Sequence, residues 1–179
     1  MRSIPRHSTE PESRVFADDG RIPNNALPLL LYRGVLDGRT GDPAASFEQR
    51  FAQHGWSGAW RDGIYPFLHF HSTSHEVLGV VRGSAAVRLG GEGGATVELG
   101  AGDVVVIPAG VGHKLEEAQD GFLVVGAYPD GSTWDVCRGE PAERAKVLAN
   151  LARVPLPPAD PVFGGDGPLV ALWRAAAER

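Results

Sequence analysis

The chain has 179 residues, of which 42% are hydrophobic, and its 17 basic and 22 acidic residues give a net charge of −5. This size and composition suit one compact domain with a sizeable core and leave little room for two. No window gathers Lys or Arg into a basic stripe, so nucleic-acid binding is disfavoured. The single cysteine, Cys137, excludes an internal disulfide framework and fits a reducing compartment.

The N-terminal part of the chain is predicted to lie outside the main core. Residues 1–25 are assigned to an N-terminal arm, because their beginning is polar and interrupted by proline. Residues 26–36 follow as an apolar extended segment, and a proline within it indicates an edge strand. Asp42 suits the N-cap of a helix that begins at a proline and ends near Gly55. Residues 26–55 are therefore predicted to be an edge segment and a helix that packs on a β-barrel.

Residues 56–128 are predicted to form that all-β core. Short runs of β-branched and aromatic residues alternate with turn residues, which is typical of a β-sandwich or barrel. The predicted strands cover 64–71, 76–81, 85–89, 95–99, 103–107, 113–116 and 122–128. Residues 129–179 are predicted to be a helical extension, with helices near 141–151 and 168–179, that folds over the barrel or against a second subunit.

Histidine and glutamate residues within this core have spacings that suit a metal site. His69 and His71 are two residues apart in the predicted strand 64–71, so alternation puts both imidazoles on one face. Glu76 and His113 would come from neighbouring strands of a closed sheet, whose inward positions converge. Three imidazoles and one carboxylate can hold a divalent transition metal and leave coordination positions open.

The same residues belong to two longer motifs, Gly63-x5-His69-x-His71-x4-Glu76-x6-Gly83 and Gly102-x5-Pro108-x-Gly110-x2-His113. These are the spacings of the two cupin motifs, and the chain resembles the cupin superfamily. More narrowly, four segments are similar to the YjlB-like bacterial cupins: 16–25, 71–79, 102–113 and 122–129. The resemblance implies a double-stranded β-helix, a jelly-roll barrel with a few flanking helices, and a metal site. It implies no settled reaction.

The residues alone do not decide the identity of one metal ligand. The turn at 72–74 breaks the strand phase, so alternation does not decide whether His75 or Glu76 points inward. The resemblance assigns the metal ligand to Glu76. His75 is then either a partner of the site, where it could act as a general acid or base, or an exposed turn residue.

Aromatic residues near the histidines are candidates for the wall of a cavity. Tyr65 and Phe67 continue the inward face of the predicted strand, so they are candidate substrate-binding residues, with barrel filling as the alternative. Trp56 and Trp60 could cap the barrel mouth, or could serve in hydrophobic packing. A pocket with such walls favours a small, partly apolar substrate that binds the metal through oxygen.

The donor set favours no single metal, and iron, manganese, cobalt, nickel, copper and zinc all suit it. We expect one divalent transition metal per chain. Iron or manganese would permit oxygen activation, whereas zinc or nickel would polarise a carbonyl or a water. The expected function is that of a metal-dependent oxygenase or isomerase acting on a small oxygen-rich metabolite. The alternative is a non-catalytic cupin that sequesters a metal or a small ligand.

Beyond a small-molecule ligand, the expected partner is a second copy of the chain. The apolar edge segment 27–36 must be covered, because open strand edges invite pairing, and twofold homodimers are the commonest arrangement. The start of the chain lacks the apolar run of a secretory leader, and no later stretch is long enough to span a bilayer. We therefore expect a cytoplasmic protein without a membrane partner.

Overall fold

Residues 9–179 are described by a computed structural model, in which seven strands form one antiparallel sheet. The strands are β1 (Glu12–Phe16), β2 (Asn25–Tyr32), β3 (Trp56–Asp62), β4 (Glu76–Leu89), β5 (Ala95–Gly100), β6 (Val104–Ile107) and β7 (His113–Pro129). The helices are α1 (Pro43–Gln53), α2 (Arg144–Leu151), which follows a 3-10 turn at Pro141–Glu143, and α3 (Pro168–Ala177). The all-β prediction with a few flanking helices is confirmed. None of the helices in this part of the chain has the length and apolarity needed to cross a membrane.

The sheet is built around the long pair β4 and β7. The strand order is β1-β2-β6-β4-β7-β3, and β5 pairs with the second half of β4. Val77 pairs with Ala127 at one end of the β4–β7 ribbon, and Leu89 pairs with His113 at the other. Twelve residue steps of a flat ribbon would hold these pairs about 40 Å apart. The ribbon is bulged near Gly83, which has a φ of 72°, and such bulges bend and twist a ladder.

Two apolar clusters lie on opposite faces of the sheet. On the outer face, α1 and α3 place Phe47, Phe51 and Trp173 against strand residues that include Val77 and Val125. The inner face buries a separate cluster, to which Leu78, Val80 and Val124 belong. Because neighbouring residues of β4 and β7 go to opposite clusters, strand alternation decides which side chains point into the barrel.

β2 lies inside the sheet and not at its edge. β1, which falls within the predicted N-terminal arm, pairs with one side of β2, and β6 pairs with the other side. The prediction of a homodimer was based on an exposed edge at this segment. Because β1 covers that edge, this reason for a homodimer no longer applies. Residues 1–8 of the predicted arm lie outside the described residues.

The segment 64–71 differs from its prediction as a strand. It makes isolated bridges, between His69 and His113 and between Phe70 and Cys137, in place of a continuous ladder. Pro66 contributes to this, since proline has no N–H to donate to a ladder. The two predicted strands on either side of Gly83 are one strand, β4, because that glycine forms a bulge and not a turn.

Candidate metal centre

The four residues predicted as metal ligands converge at the inner face of the barrel. His69, His71 and His113 are buried, and each offers one nitrogen that lies within 4.8 Å of the others. The Oε2 atom of Glu76 is 3.1 Å from Nε2 of His71 and 3.3 Å from Nε2 of His113. The structure thus brings all four side chains together, while their role as ligands stays a prediction.

Three different parts of the chain supply these side chains. Glu76 begins β4 and His113 begins β7, so they lie at opposite ends of the β4–β7 ribbon. Their contact at 3.3 Å is possible because the ribbon curls until its ends face each other. His69 is attached to this arrangement by two backbone hydrogen bonds with His113, of 2.9 and 3.2 Å.

Backbone carbonyls fix the tautomer of each histidine. The Nδ1 atoms of the three imidazoles lie 2.9, 2.5 and 3.0 Å from carbonyl oxygens, which belong to Phe67, Asp135 and Val111 respectively. A carbonyl can only accept a hydrogen bond, so Nδ1 must carry the proton. In the neutral form of each imidazole, Nε2 is then the nitrogen whose lone pair is able to bind a metal.

The electrostatics of the group match a cation at its centre. Burial lowers the pKa of His69 to about 3, and the neighbouring His113 adds to this effect. Burial alone would raise the pKa of Glu76, but His71 and His113 outweigh it and hold that pKa well below its ordinary value. Burial also lowers the pKa of His71, but the Glu76 carboxylate, together with Asp135, more than offsets it, so the pKa is raised. The donor set is therefore an anionic carboxylate among imidazole nitrogens, which fits a divalent transition metal.

A cavity of about 410 Å³ opens beside the four side chains. Its apolar walls come from one aliphatic pair and four aromatic residues, namely Ile64, Leu78, Trp60, Tyr65, Tyr128 and Trp134. Arg61 and Asp62 also line it. The volume suits a small organic molecule.

The structure places the two predicted substrate-binding aromatics differently. Tyr65 is 44% exposed and lines the cavity. Phe67 does not line it, because its ring is stacked on Tyr65 at 4.8 Å and is covered by the guanidinium of Arg138, 3.7 Å from the ring centroid. Its placement supports a structural role behind Tyr65 and not a contact with substrate.

His75 points away from the cavity. With Glu76 directed inward, alternation turns His75 to the outer face, where its ring lies 4.7 Å from that of Trp173. Its Nδ1 accepts a hydrogen bond of 2.9 Å from the Ala109 amide, and burial lowers its pKa to about 4, partly opposed by the Pro155 carbonyl. The placement gives no support to the predicted acid–base role at the metal.

Tyr128 was not among the predicted site residues. Its hydroxyl donates a hydrogen bond of 3.2 Å to Oε1 of Glu76 and accepts one of 2.7 Å from Nε1 of Trp60. Strand alternation could have found it, because Tyr128 is in phase with Val124, a residue of the inner cluster.

Two further site residues, Trp134 and Asp135, lie in the loop after β7, where no periodic pattern points to them. Trp134 lines the cavity, and its ring centroid is 5.3 Å from that of His71. Asp135 accepts the Nδ1 hydrogen bond of His71 through its carbonyl, and its carboxylate accepts hydrogen bonds from the amide and hydroxyl of Ser72. Asn150 of α2 donates a further hydrogen bond of 2.9 Å to the Ser72 hydroxyl. The C-terminal extension therefore helps to fix His71.

Comparison with known proteins identifies the family. The model of the cupin domain matches residues 60–125, the interval that contains the four converging side chains. The chain is also 41% identical over 165 residues to the uncharacterized protein YjlB of Bacillus subtilis (strain 168), which covers 92% of this chain and 97% of that protein. The chain is a cupin of the YjlB family. The predicted family and the predicted barrel fold are both confirmed.

Solved structures similar to this cupin include two enzymes. Acireductone dioxygenase from Bacillus anthracis, with a cadmium ion in its active centre, is 16% identical with a TM-score of 0.40, over 69% of this chain and 80% of that chain. Oxalate decarboxylase from Lactobacillus farciminis, in a formate complex, is 19% identical with a TM-score of 0.39, over 81% of this chain and 41% of that chain. The cupin thus spans less than half of the decarboxylase, and likenesses at this level do not bear on its reaction.

Proposed function

We propose that this cupin is a metal-dependent enzyme, an oxygenase or isomerase that acts on a small oxygen-rich metabolite. The observation that carries the proposal is the set of three buried imidazoles that converge with their Nδ1 atoms tied to carbonyls, while Nε2 of His71 and Nε2 of His113 lie 3.1 and 3.3 Å from the Glu76 carboxylate. In this proposal His69, His71, Glu76 and His113 hold one divalent metal. Iron, manganese, cobalt, nickel, copper and zinc all suit these donors.

When bound, such a metal supplies a Lewis acid that polarises a substrate oxygen and, if it is redox-active, a route to oxygen chemistry. The residues of the chain supply orientation and the exclusion of water. Tyr128 holds one oxygen of Glu76 through its hydroxyl, and burial raises the pKa of that hydroxyl, so that it donates a hydrogen bond and does not act as a base. Leu78 and the aromatic walls give a substrate an apolar surround.

The metal assignment is tested by elemental analysis of protein purified without added metal. We expect close to one ion per chain in the wild type, and a severe loss of metal in His71→Ala and His113→Ala with the β-rich circular dichroism spectrum intact. His54→Ala is the matched control, because His54 bonds to the Pro161 carbonyl and does not line the cavity. Full occupancy in both site variants would refute the assignment.

The enzymatic part of the proposal is tested on protein reconstituted with iron, manganese, nickel or zinc. Each form is offered a set of small hydroxy, keto and phenolic metabolites, and turnover is compared before and after chelation of the metal. Metal-dependent turnover of any of them supports the enzyme. If nothing is transformed while a ligand binds tightly, sequestration replaces catalysis as the function of the site.

A further inference from the structure

The walls of the cavity present aromatic faces next to two of the histidines. The Tyr65 ring is stacked on Phe67 at 4.8 Å, with an angle of 14° between planes, and meets His69 edge-on at 5.1 Å. A ligand held beside His69 would therefore lie near the Tyr65 ring, which is held in place by Phe67. Flat, π-bearing groups are what such a ring binds best.

A second stacked pair borders His71. Tyr128 and Trp134 are stacked at 5.6 Å with an angle of 21°, and the Trp134 ring lies 5.3 Å from that of His71. Trp134 is 40% exposed and lines the cavity, so part of its side chain is accessible to a ligand there. The geometry thus offers a large exposed indole beside the predicted metal position.

Several polar groups in these walls already have hydrogen-bond partners within the protein. The Nε1 of Trp60 donates to Tyr128, and the Tyr128 hydroxyl donates to Glu76. Among the described residues that line the cavity, Arg61 is the one Lys or Arg, and its guanidinium forms two hydrogen bonds with Glu48, of 2.6 and 2.9 Å. The cavity walls therefore leave no uncommitted cation for a second anionic group of a ligand.

The charges at the predicted metal site also favour a ligand with one negative charge. A divalent metal together with the single negative charge of Glu76 leaves one positive charge, which one anionic chelating group neutralises. Asp62, which lines the cavity, would repel a second negative charge on the ligand. A ligand with a second negative charge would enter a partly apolar site without a free partner, and buried unpaired charge is unfavourable.

We propose that the substrate class of this site is a planar, conjugated chelator that binds the metal through two oxygens and one negative charge, such as an enolised hydroxyketone or an aromatic vicinal diol. Trp134 selects it by stacking on its flat body. This inference rests on the proposed function, because it needs a metal held by the four predicted ligands.

The test compares two monoanionic oxygen chelators on the zinc-loaded protein, planar tropolone and non-planar lactate. Their dissociation constants are measured by calorimetry in the wild type and in Trp134→Leu, after metal content has been checked. The two proteins share metal and ligands, so the intrinsic strength of chelation cancels in the ratio of the two constants. We expect Trp134→Leu to reduce the preference for tropolone about 3- to 10-fold, the range for loss of one aromatic stack.

Phe163→Leu is the matched control, because Phe163 is 41% exposed, close to the 40% of Trp134, and lies outside the cavity. It should leave the ratio unchanged. If Trp134→Leu fails to fold, Tyr65→Leu replaces it, since Tyr65 forms the other stacked pair. An unchanged ratio in a metal-loaded cavity variant would overturn the inference and leave the proposed function standing. Absence of metal binding in the wild type would overturn both.

A separate experiment tests the requirement that the ligand carries only one negative charge. Tropolone carrying an added carboxylate is compared with tropolone carrying a carboxamide at the same position, which controls for size. We expect the carboxylate to bind at least about 3-fold more weakly at low salt, because an unpaired charge near Asp62 is unfavourable. Equal or tighter binding of the carboxylate would overturn the monoanion requirement.

Discussion

Tyr128 joins a predicted metal ligand to the wall of the cavity, and its hydroxyl is the group that can be removed most cleanly. In Tyr128→Phe, Glu76 loses the hydrogen bond that orients one of its oxygens. Removing a partner that orients a metal ligand typically lowers metal affinity about 10- to 100-fold, and we expect the lower end here. The affinity is measured by competition with a chromogenic chelator.

The control for this change is Tyr65→Phe, because the Tyr65 hydroxyl makes no hydrogen bond with a described residue although its ring lines the same cavity. It should bind metal as the wild type does. Equal affinity in all three proteins would show that Glu76 does not depend on Tyr128.

The residues of the site differ in how far their sequence positions reveal them. The motif spacings identify the four side chains that converge, because each is set by short-range order in one strand or turn. Once Glu76 points inward, alternation also places His75 on the outer face. Trp134 and Asp135 escape such reasoning, since their contacts with His71 join a loop to a segment more than sixty positions earlier.

At the scale of elements, the loop after β7 acts as a support for His71. Asp135→Ala removes the acceptor of the Ser72 amide and hydroxyl, and so loosens the carbonyl that holds the His71 ring. We expect metal affinity to fall about 10- to 100-fold, as for other partners of metal ligands. Thr133→Ala, an exposed position in the same loop, should leave it unchanged. Similar losses in both variants would point to general loosening of the loop.

The contact between α1 and the sheet also depends on one position. A Cβ added to Gly79 of β4 would lie 2.7 Å from the ring of Phe47 on α1, which is itself fully buried. Gly79→Ala should therefore lower the free energy of unfolding by about 1–3 kcal/mol, the usual cost of overpacking a core. Urea unfolding measures this change.

Gly93→Ala serves as the control for that substitution, because an added Cβ meets no atom within 4 Å there. The smaller unfolded-state entropy of alanine favours the native state at such a position, so a loss of stability at Gly93 as large as that at Gly79 would contradict the Phe47 contact as the cause.

Prediction of the elements succeeded where the signal is local. The Asp42 side chain caps α1 by accepting from the Ala45 amide at 3.1 Å, as the N-cap pattern predicts. The sequence does not distinguish a bulge from a turn at Gly83, because glycine suits both. The strand β3 was also missed, since its run 56–62 contains glycine and charged residues and gains its order by pairing with the distant β7.

For the whole molecule, the buried His75 predicts a pH dependence of stability. Its native pKa of about 4 lies below the ordinary value of about 6.5. Between these values the unfolded chain binds a proton that the native chain excludes. The contribution of His75 is therefore fully present above pH 6.5 and is lost as the pH falls towards 4.

His75→Asn removes this titration and keeps an acceptor for the Ala109 amide. In metal-free protein, the decrease in the free energy of unfolding from pH 7 to pH 5 should be smaller in His75→Asn than in wild type by about 2 kcal/mol. Urea unfolding at each pH gives the comparison. Identical decreases would contradict the buried neutral state of His75.

The curl of the β4–β7 ribbon has a kinetic consequence for a metal held by Glu76 and His113. Those two residues stand at opposite ends of the ribbon and meet only after it has closed on itself. Closure of such distant segments costs chain entropy and comes late in folding. A bond made after the rate-limiting step lengthens the lifetime of the native state and leaves the rate of folding almost unchanged. We therefore expect the metal to slow unfolding. The barrel should fold at nearly the same rate with and without the metal, but it should unfold more slowly when the metal is bound.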